Sequence, residues 1–269
     1  DHFPMSEHPN LLVLSGGGYG HVPVPLWQKL PSGHWELYSV PRGPRPERKY
    51  FLNYVGGLSH APRQLRMRMK AKIEEYVAAH DMTLSDSPEL ELRKNLLPIR
   101  KWRDGGEYPV FTRDSPNGTV SNAVLFYCSK LKKNKDVWQE AMLSSRFSLT
   151  PRGYGRTSYH LAEIMLAGLI PIHVYSDQPW VPYRKVFDTI GFHTDVAGIP
   201  ELLDRLRSMP EEELAAREAR ARAHVYSHWL TRGMVDQLFR FMRGRSIFTE
   251  EESAGDLICQ RLPKTITGA

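Results

Sequence analysis

Cysteine is scarce: Cys128 and Cys259 are the only two in 269 residues. That excludes a disulfide framework and a cysteine-built metal knuckle. Long hydrophobic runs are missing as well. No stretch approaches the roughly 20 apolar residues that cross a bilayer as a helix, and no basic-then-apolar segment opens the chain as a signal peptide would. The sequence starts at Asp1 rather than Met, and any membrane anchor would lie only outside this chain. Zinc-finger spacing, an RNA-recognition signature and a basic low-complexity tail are all absent, which takes nucleic acid out of the expected partners. No Asp-x-Asp pair is present, so no metal and no other cofactor is expected to be required. No internal repeat is visible.

What remains is an ordinary globular composition, 41% hydrophobic and 25% charged, with enough length for one large or two modest cores. The net charge of +6 favours phosphate-bearing or anionic-glycan ligands. The basic residues are spread out, apart from the cluster Lys130-Leu131-Lys132-Lys133-Asn134-Lys135. Asn117-Gly118-Thr119 is an N-glycosylation acceptor triplet that permits a secretory location.

Leu11 to Leu14 reads as a buried strand ended by Ser15-Gly16-Gly17-Gly18, and Trp35 to Val40 as a second strand. The Pro- and Arg-rich stretch between Val40 and Lys49 reads as a stiff linker. A boundary near residue 48 then separates 1–48 from a unit over 49–245, and 246–269 reads as a surface extension. Within the unit, Tyr50 to Val55 is a strand closed by Gly56-Gly57. Pro62 opens a helix to about His80, with Ser59 or His60 near the cap and Leu65, Met69, Ile73, Tyr76 and Val77 on its core face. Residues 82–120 carry no regular pattern. Asp136 to Ser144 reads as a short helix and Arg146 to Thr150 as a strand. A glycine-rich loop, a helix to Ala167, a stop at Gly168 and a strand from Leu169 to Tyr175 follow, which together make a βαβ unit. Ile199 to Met209, Glu211 to Leu230 and Met234 to Arg243 are expected helices, with Pro200 and Pro210 near two starts.

The loop Pro151-Arg152-Gly153-Tyr154-Gly155-Arg156-Thr157-Ser158 carries the chemistry. Gly153 and Gly155 let backbone approach a ligand, and the helix start behind them favours an anion. Thr157 or Ser158 can cap that helix. Arg152 and Arg156 add guanidinium groups suited to phosphate. Glu163, about a turn and a half on, is a carboxylate within reach of paired ribose hydroxyls. The pattern is neither the Walker A sequence nor the dinucleotide fingerprint, so physics alone leaves a phosphate site and a plain structural loop both open.

The run Ser145 to Gly153, with Thr157-Ser158, Glu163, Ala167-Gly168, Ile170-Pro171-Ile172, Asp177 and Trp180-Val181-Pro182-Tyr183, resembles the exostosin family, glycosyltransferase family 47. Arg48 to Leu52, Gly56 and Leu65-Arg66 resemble an earlier element of the same pattern. The resemblance spans about 48–245 and is densest over 144–183. It implies an α/β fold of GT-B type: a Rossmann-like C-terminal lobe for the donor, preceded here by a partial N-terminal lobe. It implies inverting transfer of a sugar from a nucleotide-sugar, such as a UDP-sugar, to a glycan acceptor in the Golgi or secretory lumen, and leaves a protein complex open. By it, Arg66 and Arg152 lie near the diphosphate, Thr157 and Ser158 at the helix start, and Glu163 at the nucleoside. Two departures count: His160 stands where the family commonly has Arg, and only about 48 residues precede the donor lobe. They favour an alternative, a structural or accessory protein that keeps the donor-lobe fold. No residue stands out as the catalytic base.

Other candidates have simpler readings. His224 and His228 can share a helix face, but no third metal ligand is evident. Gly16 to Gly20 reads as a tight turn. Arg63, Arg68, Lys70 and Lys72 read as a solvated helix face. Trp180 and Tyr183 can stack on a sugar or pack a loop.

Overall fold

The computed structural model describes residues 10–17, 22–26, 50–85, 122–127, 141–142 and 144–243. The expected strand at Trp35 to Val40, the linker, the glycosylation triplet, both cysteines and the extension from 246 lie outside them, as does most of the short helix expected over 136–144. Near the start, β1 (Leu14–Ser15) and β2 (Val22–Pro23) form a separate two-stranded parallel sheet. The strand expected over 11–14 is thus shorter and shifted, and Leu11 and Leu14 are exposed rather than buried.

The main sheet has six strands, all parallel. They are β3 (Tyr50–Val55), β4 (Thr83–Ser85), β5 (Ala123–Tyr127), β6 (Ser145–Pro151), β7 (Ile170–Val174) and β8 (Phe192–Thr194), in the order β4-β5-β3-β6-β7-β8. Every residue of β3 and of β7 is buried. Continuous burial is what a parallel strand with helices on both faces requires.

Helix α1 (Leu65–Ala79) follows β3 through a short 3-10 turn, Pro62–Gln64. No side chain caps either element, so Ser59 and His60 do not serve as caps. The five apolar positions expected to face the core are all buried. They pack on Leu52, Phe147, Leu149, Ile172 and Val174, beside α4 (Ile199–Arg207). The Tyr76 hydroxyl donates to Asp204 Oδ1 at 2.7 Å, joining α1 to α4. On the exposed side of α1, Lys70 pairs with Glu74 and Lys72 with Glu75, so those lysines form a solvated face.

The other face of the sheet is covered by α2 (His160–Leu166), whose Ile164 packs with Leu125, Met142 and Leu169. Gly168, at φ 68°, ends α2 in the left-handed conformation that glycine adopts without a Cβ penalty. A second layer joins α2 to α3 (Arg184–Ile190), α5 (Glu211–His224) and α6 (Thr231–Met242) through Leu161, Met165, Phe187, Ala221 and Phe241. Trp180 and Tyr183 are buried here, and Tyr183 packs edge-on to Trp229. They pack the fold rather than stack on a ligand.

The helix expected over Glu211 to Leu230 changes winding at Val225–Trp229, a π-helical turn in which the Leu230 N–H donates to Val225 at 3.0 Å. Gly233 explains the change: a Cβ there would sit 2.2 Å from the Tyr226 carbonyl oxygen, so α6 begins against that turn's bare backbone. His224 and His228 lie on this segment with rings 5.2 Å apart. Among the described residues no group of three metal-ligating side chains occurs.

Two outcomes are expected from the packing. Ile73→Ala, at a position with no exposed surface, should cost about 2–4 kcal/mol in urea unfolding. Met67→Ala, on the same helix but 51% exposed, should cost roughly 0.5 kcal/mol or less. Burial holds His173 down to about 4, from an ordinary 6.5. The folded state therefore binds this proton less readily than the unfolded chain. His173 supports the fold fully above pH 6.5, and that support is lost as the pH falls towards 4. A ring-proton NMR titration in which His173 protonates near 6.5 would contradict this.

Candidate functional site

The chain leaves β3 towards one side of the sheet, placing β5 and β4, and then crosses to the other side to place β6, β7 and β8. Connections therefore diverge between β3 and β6. Open α/β sheets bind ligands in the crevice that such a switch point leaves outside the carboxyl ends of the strands. Four segments meet there: Gly56 to Ala61 after β3, Arg152 to Tyr159 after β6, Tyr175 to Asp177 after β7, and Gly16-Gly17 after β1.

Arg152 is 4% exposed and organises the loop that follows it. Its Nε donates to the Gly155 carbonyl at 3.2 Å and its Nη2 to the Tyr154 carbonyl at 3.0 Å. Its Nη1 reaches Ser176 Oγ at 3.0 Å and Asp177 Oδ1 at 2.8 Å. The second oxygen of Asp177 accepts from Arg156 Nε at 2.9 Å. One carboxylate thus bridges two guanidinium groups. Burial on its own pushes the Asp177 carboxyl up. The Gln178 backbone N–H and the charges of Arg152 and Arg156 outweigh it and hold the group below the usual carboxylate value.

Glycines let the segments close up. The Arg156 N–H donates to the Gly17 carbonyl at 2.7 Å. A Cβ on Gly155 would stand 3.1 Å from that same oxygen, so the two backbones touch. Gly16-Gly17 is a turn packed on the loop, as expected, while Gly18 to Gly20 lie outside the described residues.

Arg66, in the first turn of α1, spans the switch point. Its Nη1 donates to the Gly57 carbonyl at 2.8 Å and its Nε to the Arg152 carbonyl at 3.4 Å. Its Nη2 lies 3.7 Å from where a Gly153 Cβ would stand. Among the described residues Arg66 meets no carboxylate. Its guanidinium is held in place by carbonyl groups and keeps a charged face beside the bare backbone of Gly153. Among the described residues, Arg66, Arg152 and Arg156 bring three guanidinium groups to this end of the sheet, and Asp177 pairs with two of them.

Thr157 is buried, and its carbonyl accepts from the Gly153 N–H at 3.3 Å. Ser158 Oγ accepts the His160 N–H at 3.3 Å, while Tyr159, at the helix boundary, makes no side-chain cap. Of the two hydroxyls offered as caps, Ser158 holds a helix-start N–H. Glu163 Oε2 accepts from His160 Nδ1 at 2.8 Å, and Oε1 has no partner among the described residues. All seven expected site residues, Arg66, Arg152, Gly153, Arg156, Thr157, Ser158 and Glu163, belong to the loop or to the two helices that flank the switch point.

Two further side chains, of Tyr154 and His60, border the candidate site. Tyr154 is 71% exposed, and its ring lies 6.1 Å from that of His60, edge to face. A tyrosine between two glycines, off any apolar period, was the available signal. His60 was read only as a cap.

The Asp177 bridge has a testable sign. Because its folded-state pKa lies below the unfolded value, its contribution to stability is complete above that unfolded value. The contribution is lost as the pH falls through the folded one. Asp177→Asn should flatten this part of the acid limb when stability is followed by urea unfolding against pH. An unchanged acid limb would show that the bridge carries no net stability.

The chain matches no protein-family model and no curated protein. Among solved structures it is similar to TarM, at TM-score 0.40 and 9% identity over 75% of this chain and 36% of that one. It is also similar to the GtfA/B complex, at 0.39 and 13% identity over 76% of this chain and 38% of that one. A third likeness is to the spinosyn forosaminyltransferase SpnP, at 0.35 and 15% identity over 82% and 50%. The chain thus spans half or less of each of these proteins, and the likeness is partial in geometry as in length.

Proposed function

We propose that this chain is the donor-binding part of an exostosin-type, GT-B glycosyltransferase, and that the crevice between β3 and β6 takes the diphosphate of a UDP-sugar. The observation that carries the proposal is Arg66. Its guanidinium is fixed by two backbone carbonyls, has no acid partner among the described residues, and lies beside the bare backbone of Gly153.

The remaining groups divide the work. Arg152 shapes the loop from within, Arg156 and Ser158 line its outer side, and the open oxygen of Glu163 suits a ribose hydroxyl. In an inverting transfer a base removes the acceptor proton while the nucleoside diphosphate leaves from the opposite face of the sugar. The leaving charge would be met by fixed cations rather than by a metal. No described residue is assigned as the base or to the glycan, and the reading carries with it a Golgi or secretory-lumen location.

A second reading is favoured by a specific observation. The Arg152 donors are engaged within the protein and Glu163 is tied to His160. A loop satisfied by its own side chains also suits an accessory protein that keeps the donor-lobe fold without transfer.

Isothermal calorimetry with UDP and a panel of UDP-sugars separates the two. The enzymatic reading expects saturable binding that weakens about 10- to 100-fold in Arg66→Ala, the loss of one or two charge-assisted hydrogen bonds. Arg152→Ala should weaken binding and also lower the melting temperature, because its partners lie in the loop itself. A folded sample that releases no heat with any nucleotide overturns the proposal and leaves the accessory reading standing.

A further inference from the structure

The two faces of the central strands differ in chemistry. On one face β3, β6 and β7 present Leu52, Phe147, Leu149, Ile170, Ile172 and Val174 to α1 and α4. On the face covered by α2, the same strands present Asn53, Ser148, Thr150 and His173, each at most 1% exposed. Register brings them together in pairs: Asn53 opposes Ser148, and Thr150 opposes His173. Central parallel strands are usually filled by Val, Ile and Leu on both faces, so a polar row at this depth calls for a physical cause.

Each of the four carries a buried polar atom with no hydrogen-bond partner among the described residues: Asn53 Oδ1, Ser148 Oγ, Thr150 Oγ1 and His173 Nε2. Their neighbours fix what each atom offers. Asn53 Nδ2 donates to the Ala141 carbonyl at 3.0 Å, so its Oδ1 is left as an acceptor. His173 Nδ1 lies 3.1 Å from the Thr150 carbonyl and must be the donor there, which leaves Nε2 of the neutral ring as a second acceptor. The two hydroxyls each hold a proton to give and lone pairs to receive. Isolated buried polar atoms are costly, and sites that bring two to four of them together are where internal water binds.

We infer that the sheet face beneath α2 binds internal water, one molecule between Asn53 and Ser148 and one between Thr150 and His173. Water is the ligand that fits both partners of each pair, because it donates to the pure acceptor while exchanging a hydrogen bond with the hydroxyl. An anion would face two acceptors and no charge. A bare cation would be buried in a row with no carboxylate, a placement that costs several kcal/mol in general. The two molecules would join three strands through side chains, directly behind the loop that starts at Pro151.

Two measurements test this without any substrate. A crystal structure at a resolution that shows ordered solvent should place water within hydrogen-bonding distance of both Asn53 Oδ1 and His173 Nε2. Dry contacts at these atoms, or an ion in place of water, overturn the inference. In solution, oxygen-17 relaxation dispersion should count two fewer long-lived waters in the near-isosteric double variant Ser148→Ala, Thr150→Val than in the unaltered protein, at equal helix content by circular dichroism. An unchanged count also overturns it.

Discussion

The guanidinium of Arg152 is the interaction on which the loop architecture depends. A buried cation must find compensation for its lost hydration, and here it is surrounded by two carbonyls of the following loop, a serine hydroxyl and the Asp177 carboxylate. Those partners lie after β6 and after β7. Compensating one charge therefore curls the Pro151 to Ser158 loop back on its own strand end and ties it to the neighbouring strand. Asp177 extends the tie to Arg156, whose N–H reaches Gly17. Segments far apart in sequence are drawn to one edge of the sheet by a single network.

This gives the three arginines different duties. Arg152 is enclosed and organises the loop, and Arg156 pairs with Asp177. Arg66 is held by two carbonyl oxygens and meets no carboxylate among the described residues, which under the proposal leaves its charge for a ligand. By sequence, Arg152 and Arg66 are equally eligible as diphosphate contacts. Burial separates them, because residue type announces a charge but not what surrounds it. The same holds for Glu163, whose spacing from the loop was legible while its bond to His160 was not.

Much of the fold was legible for a simple reason: long elements with strong patterns identify themselves. The mostly apolar run Tyr50 to Val55, the helical spacing of Leu65, Met69, Ile73, Tyr76 and Val77, and the glycine stop at Gly168 each reflect one local rule. Short elements escaped. Thr83–Ser85 and Phe192–Thr194 have three residues each, too few for any period to show. Arg184–Ile190 begins at a left-handed Tyr183 instead of a capping residue. Ala123–Tyr127 is an apolar run whose strand character comes from its place between β3 and β4, which no local pattern reports. The π-helical turn at Val225 was likewise invisible, since it answers to the close approach of Gly233 across a helix junction. The polar row on β6 was in plain view as Ser148 and Thr150 alternating with Phe147 and Leu149, but its partners Asn53 and His173 become neighbours only through strand order.

The central claim is that the switch point between β3 and β6 holds a nucleotide-linked diphosphate against Arg66. A crystal structure of the chain with a nucleoside diphosphate sugar tests it most directly. Phosphate oxygens are expected within hydrogen-bonding reach of Arg66 Nη2 and in contact with the Gly153 backbone. Density for the nucleotide elsewhere on the protein, with that crevice unchanged, would contradict it.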